Sequence, residues 1–117
     1  MYERKIPRKV ECGITFIMEI IGGKWKPCLI YYIDQGAKRP SELQRQNPTA
    51  TRRVLNQQLK ELEDHGIVKR VVYAELPPKV EYSLTDMGRT LLPVIHVMYN
   101  WGEEQMEKAM ELSLSAS

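Results

Sequence analysis

An α+β fold, mainly α, is what this sequence predicts, and three observations predict it. Four segments before residue 66 carry helical apolar spacing or helix start and stop signals. A β-branched stretch, a double proline and an alternating stretch follow, as in a β-hairpin. A long segment of helical periodicity then closes the chain.

Ile14, Ile17, Met18 and Ile21 recur at helical spacing, so residues 12–21 form the first helix. Gly22 and Gly23 stop it, as glycine does at a left-handed C-cap. Pro27 suits the first turn of a second helix, whose apolar face is Trp25, Leu29, Tyr32 and Ile33 and whose end is Gly36. A short third helix begins at Arg39–Pro40 and closes by Pro48. Thr51 is the N-cap of a fourth helix with Leu55, Leu59 and Leu62 on one stripe, ending at Gly66. Residues 67–73 are rich in β-branched side chains and form a strand. Leu76-Pro77-Pro78 is a rigid turn, and 80–84 is the returning strand. Thr85 caps a long last helix over roughly 86–110, kinked by the internal Pro93. Helices three and four, joined by a short turn and followed by a two-stranded wing, are a winged helix-turn-helix.

At 117 residues the chain is one domain. Residues 1–10 form a basic arm, 12–84 the winged-helix core, 85–112 a C-terminal helix and 113–117 a flexible tail. A hydrophobic share of 43% with 27% charged residues excludes wholesale disorder. No apolar run is long enough for a membrane span, and no signal-peptide pattern follows the N-terminus, so a cytoplasmic location is expected. Two cysteines are too few for a disulfide scaffold. The net charge of +2 conceals an uneven distribution. Lys38 to Lys60 contains six basic side chains and one acidic one, whereas residues 103–117 contain four glutamates and one lysine. A local positive window of this kind suits a polyanion, although a solvated basic surface accounts for it equally.

On a helical wheel with Leu55 at 0°, Leu59 and Leu62 lie within about 40°, while Arg53, Gln57 and Lys60 lie at about 140–200°. Asn56 and Arg52 fall on the flank. The outward start of this helix therefore offers Arg, Asn, Gln and Lys, with no carboxylate before Glu61. Arginine can bond guanine, asparagine and glutamine can bond adenine, and lysine suits phosphate. The candidate recognition-helix residues are Thr51, Arg52, Arg53, Asn56, Gln57 and Lys60. Lys38, Arg39, Lys69, Arg70 and Lys79 are candidate wing and flank contacts, with protection of an open hairpin edge the competing role for those on the wing.

Several stretches in chain order resemble the HxlR-type family of winged-helix transcriptional regulators. They are Ile21-Gly22-Gly23-Lys24-Trp25, Arg39-Pro40-Ser41-Glu42-Leu43, Leu55 to Glu63, Leu76 to Thr85, Gly88 and Trp101-Gly102. Two positions depart from the family pattern: Gly13 follows Cys12 where the family has proline, and Pro40 stands where it often has phenylalanine. The resemblance implies a homodimer on an inverted-repeat operator, paired through its first and last helices. Ile14, Ile17, Met18, Leu91, Leu92, Ile95, Met98, Tyr99 and Trp101 are then the candidate dimer contacts, and Met106 and Met110 extend their apolar character, with packing of the last helix on its own domain the alternative. The resemblance also makes Cys12 a candidate redox sensor, while a small buried hydrophobe is the alternative. It leaves room for a small-molecule or oxidant effector.

No metal-ligand spacing, nucleophile–base pair or Gly-rich phosphate loop occurs, so neither enzyme activity nor a cofactor is expected. His96 reads as a satisfied interface or core residue. Two function classes remain: a sequence-specific double-stranded-DNA-binding regulator, or a winged helix reused as a protein–protein module. The basic, acid-poor start of the fourth helix separates them in favour of the first.

Overall fold

The computed structural model describes residues 12–116. The expected basic arm at residues 1–10 lies outside the described residues. The order is α1 (Gly13–Ile21), α2 (Lys26–Asp34), α3 (Pro40–Gln46), α4 (Arg52–Asp64), β1 (Val68–Tyr73), β2 (Lys79–Leu84), α5 (Asp86–Thr90) and α6 (Leu92–Ala116). β1 and β2 pair antiparallel from Val68–Leu84 to Tyr73–Lys79. This is a winged helix-turn-helix: α3, a tight turn, α4, then a hairpin wing.

The core lies among α2, α3, α4 and the base of the wing. Leu29, Ile30, Leu43, Leu55, Leu59, Leu62 and Ile67 are buried completely or nearly so. Each such side chain stabilises the fold by about 1.5–3 kcal/mol relative to exposure. The leucine stripe of α4 thus does what its spacing predicts. The amide of Tyr82 donates to the carbonyl of Lys38 at 2.8 Å, tying β2 to the chain entering α3. The two expected stops at Gly36 and Gly66 are both left-handed, with φ of 109° and 75°.

Three expectations about local structure need correction. Gly22 is not a left-handed cap; its φ is −70° and ψ 93°. Glycine is required there because a Cβ would lie 2.2 Å from the carbonyl oxygen of Met18. The last helix is two helices, not one kinked rod. Pro93 lacks the N–H that would continue the bonding from α5, so the chain turns at Leu91 and restarts, with Pro93 in the first turn of α6 where no donor is needed. Finally, α6 continues to Ala116 through the segment expected to be a flexible tail.

Helix α6 packs against α2 and α5. Its 25 residues span about 37 Å. The described chain accordingly measures 54 × 43 × 23 Å, and its radius of gyration is 16.2 Å against about 13 Å for a compact domain of this length.

Candidate nucleic-acid interface

The reading helix is positioned by polar contacts on three sides. At its start, the Thr51 hydroxyl accepts the N–H of Val54 at 3.1 Å, satisfying an orphan donor. Toward α3, the Gln44 amide donates to the Ala50 carbonyl at 3.1 Å, and Arg52 Nε donates to Gln44 Oε1 at 2.8 Å. The buried Asn47 fixes the intervening turn by donating to the Leu43 carbonyl at 2.8 Å. Toward α2, Gln58 Oε1 accepts the Trp25 N–H at 2.9 Å. Lys26, only 4% exposed, donates to Glu61 at 3.5 Å. A buried ammonium needs such a partner, since loss of it would leave an uncompensated charge. Gln44, Asn47, Gln58, Glu61 and Lys26 were not singled out by spacing or charge. The missed signal was amphipathic: Gln58 and Glu61 occupy the edges between the leucine stripe and the outward face.

The outward face is free for a partner. The side chains of Arg53, Asn56 and Gln57 are exposed and make no hydrogen bond or ion pair with any described residue. Lys60 is exposed and pairs with Asp64 at 3.0 Å, one turn later. That hydrogen bond and charge push the Lys60 ammonium up. Exposed pairs of this type contribute little and can be exchanged for a phosphate.

The wing divides the flanking cations into two groups. Arg39, Arg52 and Lys79 line a cleft of about 690 Å³ between α3, the start of α4 and the wing loop. Glu81 lies between two of them, 3.5 Å from Lys79 and 3.9 Å from Arg39, and partly compensates their charge. Asn56, Lys60 and Arg70 share a second groove between α4 and the hairpin. Lys69 alternates onto the opposite face of β1 from Arg70, so the fold does not bring it to α4. Lys38 is exposed ahead of α3, and its amide donates to Glu42. Glu42 also accepts the Arg39 amide, and these two bonds hold its carboxyl below the usual range.

The candidate pairing residues differ in exposure. Ile14, Met18, Met98, Tyr99 and Trp101 are exposed. Ile95 is not available to a second chain, because the first turns of α6 bury it in the core of its own domain. Leu91, Leu92 and Ile17 are half-buried against that same core, so their main contacts are within the chain. Phe16, Val94, Val97, Leu112 and Leu114 are exposed apolar residues that the sequence prediction omitted, although Val94, Val97 and Trp101 follow helical spacing. These exposed apolar side chains lie on α1 and along α6.

Cys12 is exposed and occupies the N-cap position of α1, rather than acting as a buried hydrophobe. Its Sγ lies 3.4 Å from Thr15 Oγ1. That hydrogen bond and the amides of Thr15 and Ile14 lower the thiol pKa. Burial instead pushes the Cys28 thiol up. His96 reaches Asp34 at 3.3 Å across the α2–α6 contact, as a satisfied, half-exposed residue. No group of three or more potential metal ligands occurs among the described residues. No described helix is long and apolar enough to cross a membrane.

Residues 20–110 match the model of the HxlR-like helix-turn-helix family. The chain is 49% identical over 109 residues to the uncharacterized HTH-type transcriptional regulator YybR of Bacillus subtilis (strain 168), covering 92% of this chain and 87% of that one. Among solved structures it is similar to the redox regulator HypR in both redox states. The reduced form has a TM-score of 0.77 at 47% identity, covering 86% of this chain and 99% of that one. The oxidised form has a TM-score of 0.75 at 52% identity, covering 80% and 96%. The reading helix, the wing and the matched length converge: this chain belongs to the HxlR-like helix-turn-helix family of transcriptional regulators.

Proposed function

We propose that the chain is a sequence-specific double-stranded-DNA-binding transcriptional regulator that works as a homodimer on an inverted repeat. The observation that carries this reading is the outward side of α4, where Arg53, Asn56 and Gln57 are exposed without partners. In the major groove these groups read base edges, while Lys60, Arg52, Arg39 and Lys79 neutralise phosphate. The apolar faces of α1 and α6 pair with those of a second copy. Two-fold pairing sets two reading helices about one DNA turn apart. The fold and the family support these assignments.

The regulator is thiol-responsive through Cys12. A thiolate is the reactive form, and hydrogen bonding favours it at this exposed position. Likeness to a regulator solved in reduced and oxidised forms supports the same reading.

The test is to sequence DNA fragments retained by the purified protein from a random pool. Enrichment of one palindromic sequence is expected; uniform retention, or none, defeats the base-reading assignment. Diamide should then release that DNA from the native protein and not from Cys12→Ser. Release that is equal in both proteins would remove Cys12 as the sensor.

A further inference from the structure

The junction of α2 and α6 contains a cavity of about 380 Å³, within the size range of small-molecule sites. From α2 it receives Cys28, Tyr31 and Tyr32; from α6 it receives Met98, Tyr99 and Glu103. Tyr99 stacks on Tyr31 with ring centroids 4.1 Å apart and planes 6° from parallel. Tyr32 meets Tyr31 edge-on at 5.2 Å. Glu103 is the one charged residue in the lining, and no lining residue is basic. Further along α6, Glu104, Glu107 and Glu111 outnumber Lys108 and add to the negative field.

This composition discriminates among ligands. Phenol ring faces are electron-rich and attract cations, and thioethers pack well against apolar groups. A carboxylate beside them repels an anion and gives a neutral molecule no charge partner. The phenols add no charge of their own: hydrogen bonds to Tyr31 and Glu103 push Tyr99 up, and burial with the nearby Cys28 and Glu103 pushes Tyr32 up. Cys28 is exposed, and the packing around it pushes its thiol up, which disfavours covalent capture.

We propose that this cavity binds a small organic cation with an aromatic or apolar body, its body against Tyr31, Tyr32 and Tyr99 and its charge at Glu103. Binding there has a route to α4. Helix α2 contacts α6 on one side and α3 and α4 on the other. An occupant that moves α6 against α2 changes how the pairing helices hold the two reading helices. As regulation, this rests on the DNA-binding reading above; as binding, it does not.

The first measurement uses the full chain without DNA, titrated with benzyltrimethylammonium, benzyl alcohol and phenylacetate and followed by calorimetry and tyrosine ring NMR. Saturable binding of the ammonium compound at one site per chain is expected, with shifts at Tyr31 and Tyr99. Glu103→Gln should weaken it about tenfold while leaving the melting curve in place. Absence of saturable binding overturns the proposal, as would follow if a second copy filled the cavity. So does equal affinity for all three compounds, or an unaltered affinity in Glu103→Gln. The second measurement adds the ammonium compound to the protein on its selected DNA. Weaker DNA binding in the native chain and not in Glu103→Gln is expected; unchanged DNA binding at saturating cation overturns the regulatory half. A failed DNA selection counts against the DNA reading alone, since the first titration contains none.

Discussion

Helix α4 gathers its apolar side chains on one stripe, whereas those of α6 lie around much of its circumference, and the fold treats the two helices oppositely. In α4, Leu55, Leu59 and Leu62 are all buried within the same chain, and the polar side is left outward. In α6, Ile95 is buried, while Val97, Trp101, Met106, Met110 and Leu114 remain exposed. The difference is in the neighbours. α4 lies against α2, α3 and β1, whereas α6 has α2 and α5 near its start and then extends past them. Periodicity defines a face; the surrounding elements decide whether one chain or two will cover it. The stability of α4 is therefore a property of one chain, and under the proposed pairing that of the outer part of α6 depends on association.

Substitutions can break this contrast. The largest effect is expected for Leu59→Ala, which empties a completely buried position and should cost about 2–5 kcal/mol in denaturant unfolding. Trp101→Ala should leave the unfolding free energy of the dissociated chain nearly unchanged and weaken dimerisation by about 2 kcal/mol, as read by sedimentation across a dilution series. A monomer destabilised as strongly as by Leu59→Ala would place Trp101 in the fold instead. On the outer side of α4, Arg53→Ala should weaken binding to the selected DNA by about 1–3 kcal/mol and relax preference at one base pair. Equal losses on all sequences would make Arg53 a phosphate contact. Lys79→Ala should weaken every sequence alike and lower the salt slope by about 0.9, the value for one phosphate. Its existing pairing with Glu81 makes it a modest contributor.

The smallest effect concerns α1, the other helix with an open face. Lowering of the Cys12 pKa means that its thiolate forms at lower pH than an ordinary thiol, while that of Cys28 forms at higher pH. Alkylation by iodoacetamide should therefore begin at Cys12 as pH rises and reach Cys28 later. Thr15→Val removes the hydroxyl and should move the Cys12 rate profile to higher pH. Coincident profiles for the two cysteines would contradict the cap geometry.

Much of the molecule was legible from spacing. The caps at Thr51 and Thr85, the stops at Gly36 and Gly66, the leucine stripe and the hairpin are local signals that the folded chain retains. Pro93 was visible as a disruption, but its outcome was not. A proline can bend a helix or begin one, and here the separation into α5 and α6 places it where its missing donor is harmless. The exposed candidates on α4 were similarly visible. The groups that orient them were not, because Lys26–Glu61 and Trp25–Gln58 join residues more than thirty positions apart.

By itself, the amino-acid order determined most of the helices and both strands and which side of α4 is apolar, because these follow from contacts a few residues apart. Tertiary structure alone decided that Ile95 belongs to the core while Trp101 stands outside it, that Arg39, Arg52 and Lys79 share one cleft, and that three tyrosines meet a carboxylate between α2 and α6. Those outcomes depend on how elements distant in the chain pack together, and the periodicity of each element is compatible with several such packings.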